Sequence, residues 1–391
     1  MVIDAQPLPF GSSDLEPKWL SGALREAGVI TQSSEIDELI WDPLGEGEGF
    51  VGDLGRLTLR YRHGSGPTTM VAKLPTEVAQ NRAMGRALGV YQREVMVYHD
   101  LLPSLGLPCP RLYVGRYDAD GSEEAELRRI VGANHLPMPL LRLLTQREQR
   151  NADVPPTVLL LEDLQGQELG DQVAGCSVER AAKVLEVAAD LHGRTWGAKC
   201  PQPTVWLQPG DVAPRVFHAV YLNHRRMFEE RASRIFSEQN RPLLRSVRRG
   251  GARRIRLLHR QAPRCLLHGD FRLDNMFFGA DGSVSALFDW QTTNLGPGVL
   301  DIAYFITGSL GFETPEEAID ELLHHYHRRL VDNGVDEYPF DQLAAEYNEA
   351  LLVLLHRMSA IGGLDFGDGR GAELIERWLG RFDARLRRLT T

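Results

Sequence analysis

Cysteine is scarce and scattered. Four thiols, Cys109, Cys176, Cys200 and Cys265, stand in 391 residues, and no two form a CxxC pair. That spacing argues against a disulfide framework or a structural zinc site and fits reduced thiols in the cytoplasm. Long apolar runs are also missing. No stretch of eighteen apolar residues occurs, so no membrane-spanning helix is expected. Met1 to Pro17 lack a basic segment followed by an apolar core and do not read as a signal peptide. Excess positive charge is absent: the net charge is −9, which argues against nucleic acid as the main partner. The run His324-His325-Tyr326-His327 lacks HExxH spacing and reads as polar helix surface rather than a metal site.

What is present is ordinary for a globular protein. A hydrophobic fraction of 43% and a charged fraction of 25% supply both core and surface, and 391 residues suffice for two lobes.

The most informative stretch runs from His268 to Trp290, HGDFRLDNMFFGADGSVSALFDW. Asp270 follows the apolar run Cys265 to His268. Asn275 comes five residues later and opens a second apolar run. Asp281-Gly282 then makes a turn into Val284 to Phe288, which Asp289 ends. An Asp-Gly pair between two β-prone runs predicts a hairpin. Folding back, it returns Asp289 to Asn275 and Asp270. Asn275 and Asp289 offer oxygen ligands suited to Mg2+. Asp270 is then a carboxylate able to orient and deprotonate a hydroxyl, the layout of phosphoryl transfer. The plainer reading is a chance HGD tripeptide on an ordinary hairpin. The Asn spacing, the turn and the terminal Asp together weigh against it.

HGDFRLDN followed by FDWQ resembles the aminoglycoside phosphotransferase and choline-kinase-like superfamily of small-molecule kinases. It looks nearest the ecdysteroid-kinase-like and bacterial phosphotransferase branches. The resemblance implies an α+β, two-lobed protein-kinase-like fold. A small N-lobe with an antiparallel sheet and a helix would cover 1–162, with an insertion at 117–156. A hinge would cover 163–170 and a larger, mainly helical C-lobe 171–391. The resemblance also implies ATP and Mg2+ as cofactors and a small-molecule hydroxyl as acceptor. Asp270 would be the catalytic base, and Asn275 and Asp289 the metal ligands. Arg272 stands where serine/threonine kinases carry a phosphate-contacting lysine and is a candidate γ-phosphate contact. Asp301 resembles the family's aspartate that braces the catalytic loop, and His268 reads as a brace rather than a reacting group.

The rest of the chain is read in that frame. Residues 1–40 form a polar lead-in with a helix at Glu16 to Ala27. Pro43 to Gly55 is glycine-rich and leads into a strand at Arg56 to Tyr61. Gly47 and Gly49 could let backbone amides approach phosphates, although Glu46 and Glu48 would oppose that if turned inward. Lys73 on the strand Thr68 to Leu74 matches the kinase lysine that holds nucleotide phosphates. Glu94, beside the apolar face of a helix over Thr76 to Leu105, is its candidate partner. Glu77, near the helix start, is the competitor. Thr157 to Leu164 is a buried strand, and by resemblance backbone groups from Glu162 to Leu164 would bind the adenine edge.

Helices are predicted over Ser177–Gly197, Asp211–Phe236, Leu243–Arg260, Pro315–Asn333, Phe340–Ala360 and Ala372–Leu389. Thr314 to Glu317 reads as a capping box. His192 is expected to be a packed structural histidine. The arginines from Arg245 to Arg256 read as a solvated face rather than a membrane or RNA contact. Only eleven residues separate Asp289 from Asp301. That is too short for a protein kinase's activation loop, so a small acceptor is preferred to a protein. A catalytically silent nucleotide-binding module and a protein kinase are the alternatives. Neither nucleic acid nor membrane is expected as partner, and the chain is expected to be a monomer or homodimer.

Overall fold

The computed structural model describes residues 7–44, 52–119, 121–148, 154–361 and 369–390. Gly47 and Gly49 lie outside them. The fold is α+β and divides into two compact units, 1–123 with 147–166, and 124–146 with 167–391.

The first unit is a five-stranded antiparallel sheet in the order β1-β2-β3-β5-β4. Its strands are β1 (Glu35–Pro43), β2 (Gly52–His63), β3 (Thr69–Pro75), β4 (Leu112–Tyr117) and β5 (Thr157–Glu162). Helix α1 (Pro17–Glu26) begins with proline at its first turn, where no N–H is needed. It lays Trp19, Leu20, Ala23 and Leu24 into the cluster made by Ile36, Leu57, Leu59, Met70, Ala72, Val158 and Leu160. Strand β1 begins within the segment expected to be a polar lead-in and runs past its end. Its acids obscure the alternation, and pairing with β2 from Ile36↔Tyr61 to Pro43↔Gly55 makes it a strand. The long predicted helix is real but broken. Gly89, at φ 63°, ends α2 (Ala79–Leu88) and starts α3 (Val90–Met96). A π-turn at Val97–Leu101 and α4 (Leu102–Leu105) follow.

The second unit is mainly helical. Two helices of the insertion, α5 (Glu123–Ala133) and α6 (Met138–Glu148), fall largely within it. The insertion was expected in the N-lobe. Side chains of α8 (Pro214–Ile235) hold it instead: Arg215 bonds the Asn134 and Leu136 carbonyls, and Asn223 bonds Arg142 and Thr145. The other helices are α7 (Val178–Arg194), α9 (Arg241–Gln261), α10 (Val299–Ser309), α11 (Glu316–Asp332), α12 (Phe340–Ile361) and α13 (Arg370–Leu386). Every residue of α10 is buried, as an all-round apolar helix requires. The capping box at Thr314 does not form. Pro315 occupies the cap of α11 with no side-chain hydrogen bond, because its extended backbone puts the helix start one residue later.

Two small sheets finish the unit. One is β6 (Glu168–Leu169), β8 (Met276–Phe278) and β9 (Val284–Leu287); the other pairs β7 (Cys265–Leu267) with β10 (Asn294–Gly296). The Asp281-Gly282 turn closes β8 onto β9. Gly282 takes φ 74°, and Asp281 Oδ1 accepts the Ser283 N–H.

Candidate active site

The cluster around Asp270 is built inside the second unit. Strand β7 ends at Leu267, and the chain then turns sharply. Gly269 takes φ 85°, and a Cβ there would lie 2.3 Å from the Thr292 carbonyl, so only glycine fits. Asp301 on buried α10 fixes the turn. Its Oδ2 accepts the His268 N–H at 2.7 Å and its Oδ1 the Gly269 N–H at 3.0 Å. His192 lies 3.4 Å from the same Oδ2 and 2.8 Å from the Tyr326 hydroxyl, a packed histidine with two partners. His268 is fully buried. Its Nε2 donates to the Phe288 carbonyl at 2.9 Å, and its Nδ1 accepts the Asp270 N–H at 3.3 Å. Both ring nitrogens are occupied, so His268 braces the loop and is not poised as a base.

Asp270 is the centre. Tyr304 donates its hydroxyl to Oδ1 at 2.6 Å. Arg272 Nε donates to Oδ2 at 3.1 Å, and Asn275 Nδ2 to the same oxygen at 2.9 Å. Burial alone would raise the carboxyl's pKa. The Arg272 charge, the Tyr304 hydrogen bond, the neighbouring His268 and the Asn275 amide outweigh it and hold the pKa down to about 2. Tyr304 moves the other way: burial, then the Asp270 charge, push its hydroxyl well above the usual range, so it remains a donor. A carboxylate has about four lone-pair sites. Three are taken here, and one on Oδ1 stays open. The side chain keeps 18% exposure.

Asn275 ends a one-turn helix after Arg272. Its Nδ2 is fixed on Asp270 through Oδ2 and through the main-chain carbonyl at 2.8 Å. That choice of rotamer turns the amide Oδ1 away from Asp270. The hairpin returns as the sequence predicts: Met276 pairs with Leu287, and the Phe288 N–H donates to the Asn275 carbonyl. Asp289 follows at φ 65° and ψ 59°, and is the sole non-glycine residue at positive φ among the described residues. Such strain collects where a side chain must be aimed. Gln291 donates to Asp289 Oδ2 at 3.3 Å. Among the described residues no group of three His, Cys, Asp or Glu could hold a metal. An amide oxygen and one carboxylate do fit Mg2+, which is ordinarily held by few protein oxygens plus phosphate.

Arg272 is held between two carboxylates, with Nη1 on Asp274 at 2.9 Å as well as Nε on Asp270. Asp274 also accepts from the Gln172 N–H and from Arg370. Gln172 Oε1 in turn accepts the Leu273 N–H at 2.8 Å, and Arg357 donates to the Gly269 carbonyl at 3.2 Å. Sequence reading missed Tyr304, Asp274, Gln172 and Arg357. Tyr304 alone left a signal, because it lies three residues after Asp301 and so shares its helix face.

Two expectations fall in the first unit. Lys73 on β3 meets Glu94 on α3 at 2.7 Å, with side chains 19% and 6% exposed. Of the two carboxylates weighed, Glu94 makes this contact, while the Glu77 N–H bonds Asp53. At the end of β5, the Glu162 N–H is already committed to the Arg111 carbonyl. Asp163 is locked in a bidentate pair with Arg56 at 2.8 and 3.3 Å. Leu164 follows them.

A family model for ecdysteroid kinase-like proteins matches residues 46–335, most of the chain. The chain belongs to the ecdysteroid kinase-like family. That match contains Lys73, Glu94 and the whole stretch from Asp270 to Asp301.

Solved structures resemble it at low identity. One is a protein from Ralstonia eutropha provisionally assigned as an aminoglycoside phosphotransferase, at 15% identity and TM-score 0.49 over 96% of this chain and 99% of that one. A choline kinase from Streptococcus pneumoniae gives 13% and 0.46 over 88% and 94%. An ethanolamine kinase from Plasmodium vivax gives 12% and 0.45 over 95% and 88%. No curated protein matches the sequence. No helix among the described residues is long and apolar enough to cross a membrane.

Proposed function

We propose that this ecdysteroid kinase-like chain transfers the γ-phosphoryl group of ATP to a hydroxyl of a small organic acceptor. The observation that carries the reading is Asp270: an ionised carboxylate with three fixed donors and one open lone pair on Oδ1. An acceptor hydroxyl donating to that lone pair would be aimed for in-line attack. A carboxyl with a pKa of about 2 is a weak base. Phosphoryl transfer through a loose transition state asks little more of it than orientation and late proton acceptance.

The other roles follow from donor chemistry. Lys73, held by Glu94, would contact the α- and β-phosphates. Leu164 is the better candidate for the adenine edge, since the Glu162 N–H is already used. Asn275 Oδ1 and Asp289 would hold Mg2+, which when bound offsets charge on the phosphates. Arg272 would serve chiefly to keep Asp270 ionised, because its guanidinium is already shared by two carboxylates.

The direct test is γ-labelled ATP with Mg2+ over amino sugars, choline-like alcohols, sterols and macrolides. Label on a hydroxyl of one class is expected. Mg-ATP that raises the melting temperature without labelling any acceptor would leave a silent nucleotide-binding module. Label on peptides would make it a protein kinase.

A second expectation concerns Tyr304. Its hydrogen bond depresses the Asp270 pKa, so Tyr304→Phe should raise it. In the unaltered protein Asp270 stays ionised down to about pH 2, so any acid limb above pH 4 in kcat/KM belongs to another group. In the variant the Asp270 limb should move up in pH. At neutral pH kcat should fall about tenfold, from loss of orientation, with KM for the acceptor nearly unchanged. A loss of kcat with no change in the pH profile would reduce Tyr304 to a packing role.

A further inference from the structure

Helix α9 carries eight arginines, at 241, 245, 248, 249, 253, 254, 256 and 260, and no acidic residue. The chain as a whole is at −9. The helix contributes +8, so the remaining residues together carry −17. Positive charge is thus concentrated on one element of an acidic protein.

The structure adds where those charges point. Arg254 turns toward α12 and pairs with Glu349 at 3.0 Å, and Arg241 lies near Glu238. The other six, Arg245, Arg248, Arg249, Arg253, Arg256 and Arg260, are exposed. Among the described residues none of the six makes an ion pair or a side-chain hydrogen bond. At 100° per residue they fall within about 140° of arc, along about 22 Å of helix. Val247, Gly251, Ile255 and Leu258 are buried, so the helix is anchored by its apolar face. Leu257, 39% exposed, flanks the cationic stripe.

Six like charges in a row repel one another and gain nothing from the fold that displays them. We propose that the exposed face of α9 docks on an anionic lipid surface. A cationic stripe along one face of a helix can meet a plane along its length, and Leu257 would sit at headgroup level. The stripe offers no aromatic ring on which bases could stack, which disfavours single-stranded nucleic acid. The negative charge on the rest of the chain would orient the protein with α9 toward the bilayer. This inference does not rest on the phosphotransferase reading.

The test uses the full chain and sedimented vesicles. One set is phosphatidylcholine alone; the other contains about 30% phosphatidylserine. Binding is expected to the second set only, and to fall steeply between about 0.1 and 0.5 M salt. Changing all six arginines to glutamine should lower the partition coefficient by roughly 10⁴-fold, since each is worth about fivefold near such a surface. Changing all six to lysine should leave it within about threefold, and melting curves will verify that both variants fold. Equal binding to neutral vesicles overturns the proposal. So does a glutamine variant that binds as well as the unaltered protein. So does RNA or heparin competing the chain off the vesicles at matched phosphate concentration.

Discussion

Asp270→Ala is expected to lower kcat about a thousandfold while nucleotide affinity changes less than threefold. The magnitude follows from the work assigned to a positioned carboxylate, typically 10² to 10⁴ in rate. The alanine removes the acceptor for Tyr304, Arg272 and Asn275 together. It therefore leaves three donors short of a partner and costs stability as well. Asp270→Asn separates the two effects. It keeps the shape and one oxygen but carries no charge and cannot take a proton. Both variants should bind Mg-ATP, measured by calorimetry, and both should fail to label an acceptor that the unaltered chain labels. If either retains more than a tenth of the turnover, the assignment of Asp270 is wrong. If nucleotide binding is lost with turnover, the loop was damaged, and the asparagine variant decides.

The second large effect is on stability. Asp301→Ala should destabilise the second unit by about 4 kcal/mol, or roughly 10 °C in melting temperature. Asp301 is 2% exposed and accepts the backbone N–H groups of His268 and Gly269, with His192 against the same oxygen. Alanine strands both N–H groups in a dry interior, at about 1 to 3 kcal/mol each, and leaves a cavity. Asp301→Asn should cost less, about 1 to 2 kcal/mol, because one amide oxygen can still accept one of the two N–H groups. Chemical denaturation of the three proteins measures the order. An alanine variant that melts within 2 °C of the unaltered chain would mean that the turn holds itself, through Gly269 and Thr292.

How much of this was legible in advance depends on the range of the interaction. The hairpin at Asp281-Gly282, the lysine strand and most helices are written in local spacing, and they fold where that spacing puts them. The strand Glu35–Pro43 was not legible. Its acids disguise it until β2 supplies hydrogen bonds. The capping box failed for a local reason of its own, since the cap fell on Pro315 rather than Thr314. In the site, Asp270, Asn275 and Asp289 stand close together in the chain and could be found as a pattern. Gln172, 101 residues from the Leu273 N–H that it accepts, left no such trace.

The sequence by itself determined the chemistry on offer: a carboxylate, an amide and a second carboxylate at fixed spacing, joined by a turn that brings them together. It also placed the six arginines from Arg245 to Arg256 on one predicted helix. The tertiary structure decided what each group is worth. It left one lone pair of Asp270 open, spent Arg272 on two acids and paired Lys73 with Glu94 rather than Glu77. It gave Arg254 a carboxylate while leaving six neighbours without one. The division has a physical cause. Spacing along the chain governs which side chains share a face, whereas hydrogen-bond partners and desolvation come from segments distant in sequence, which meet only when the core closes.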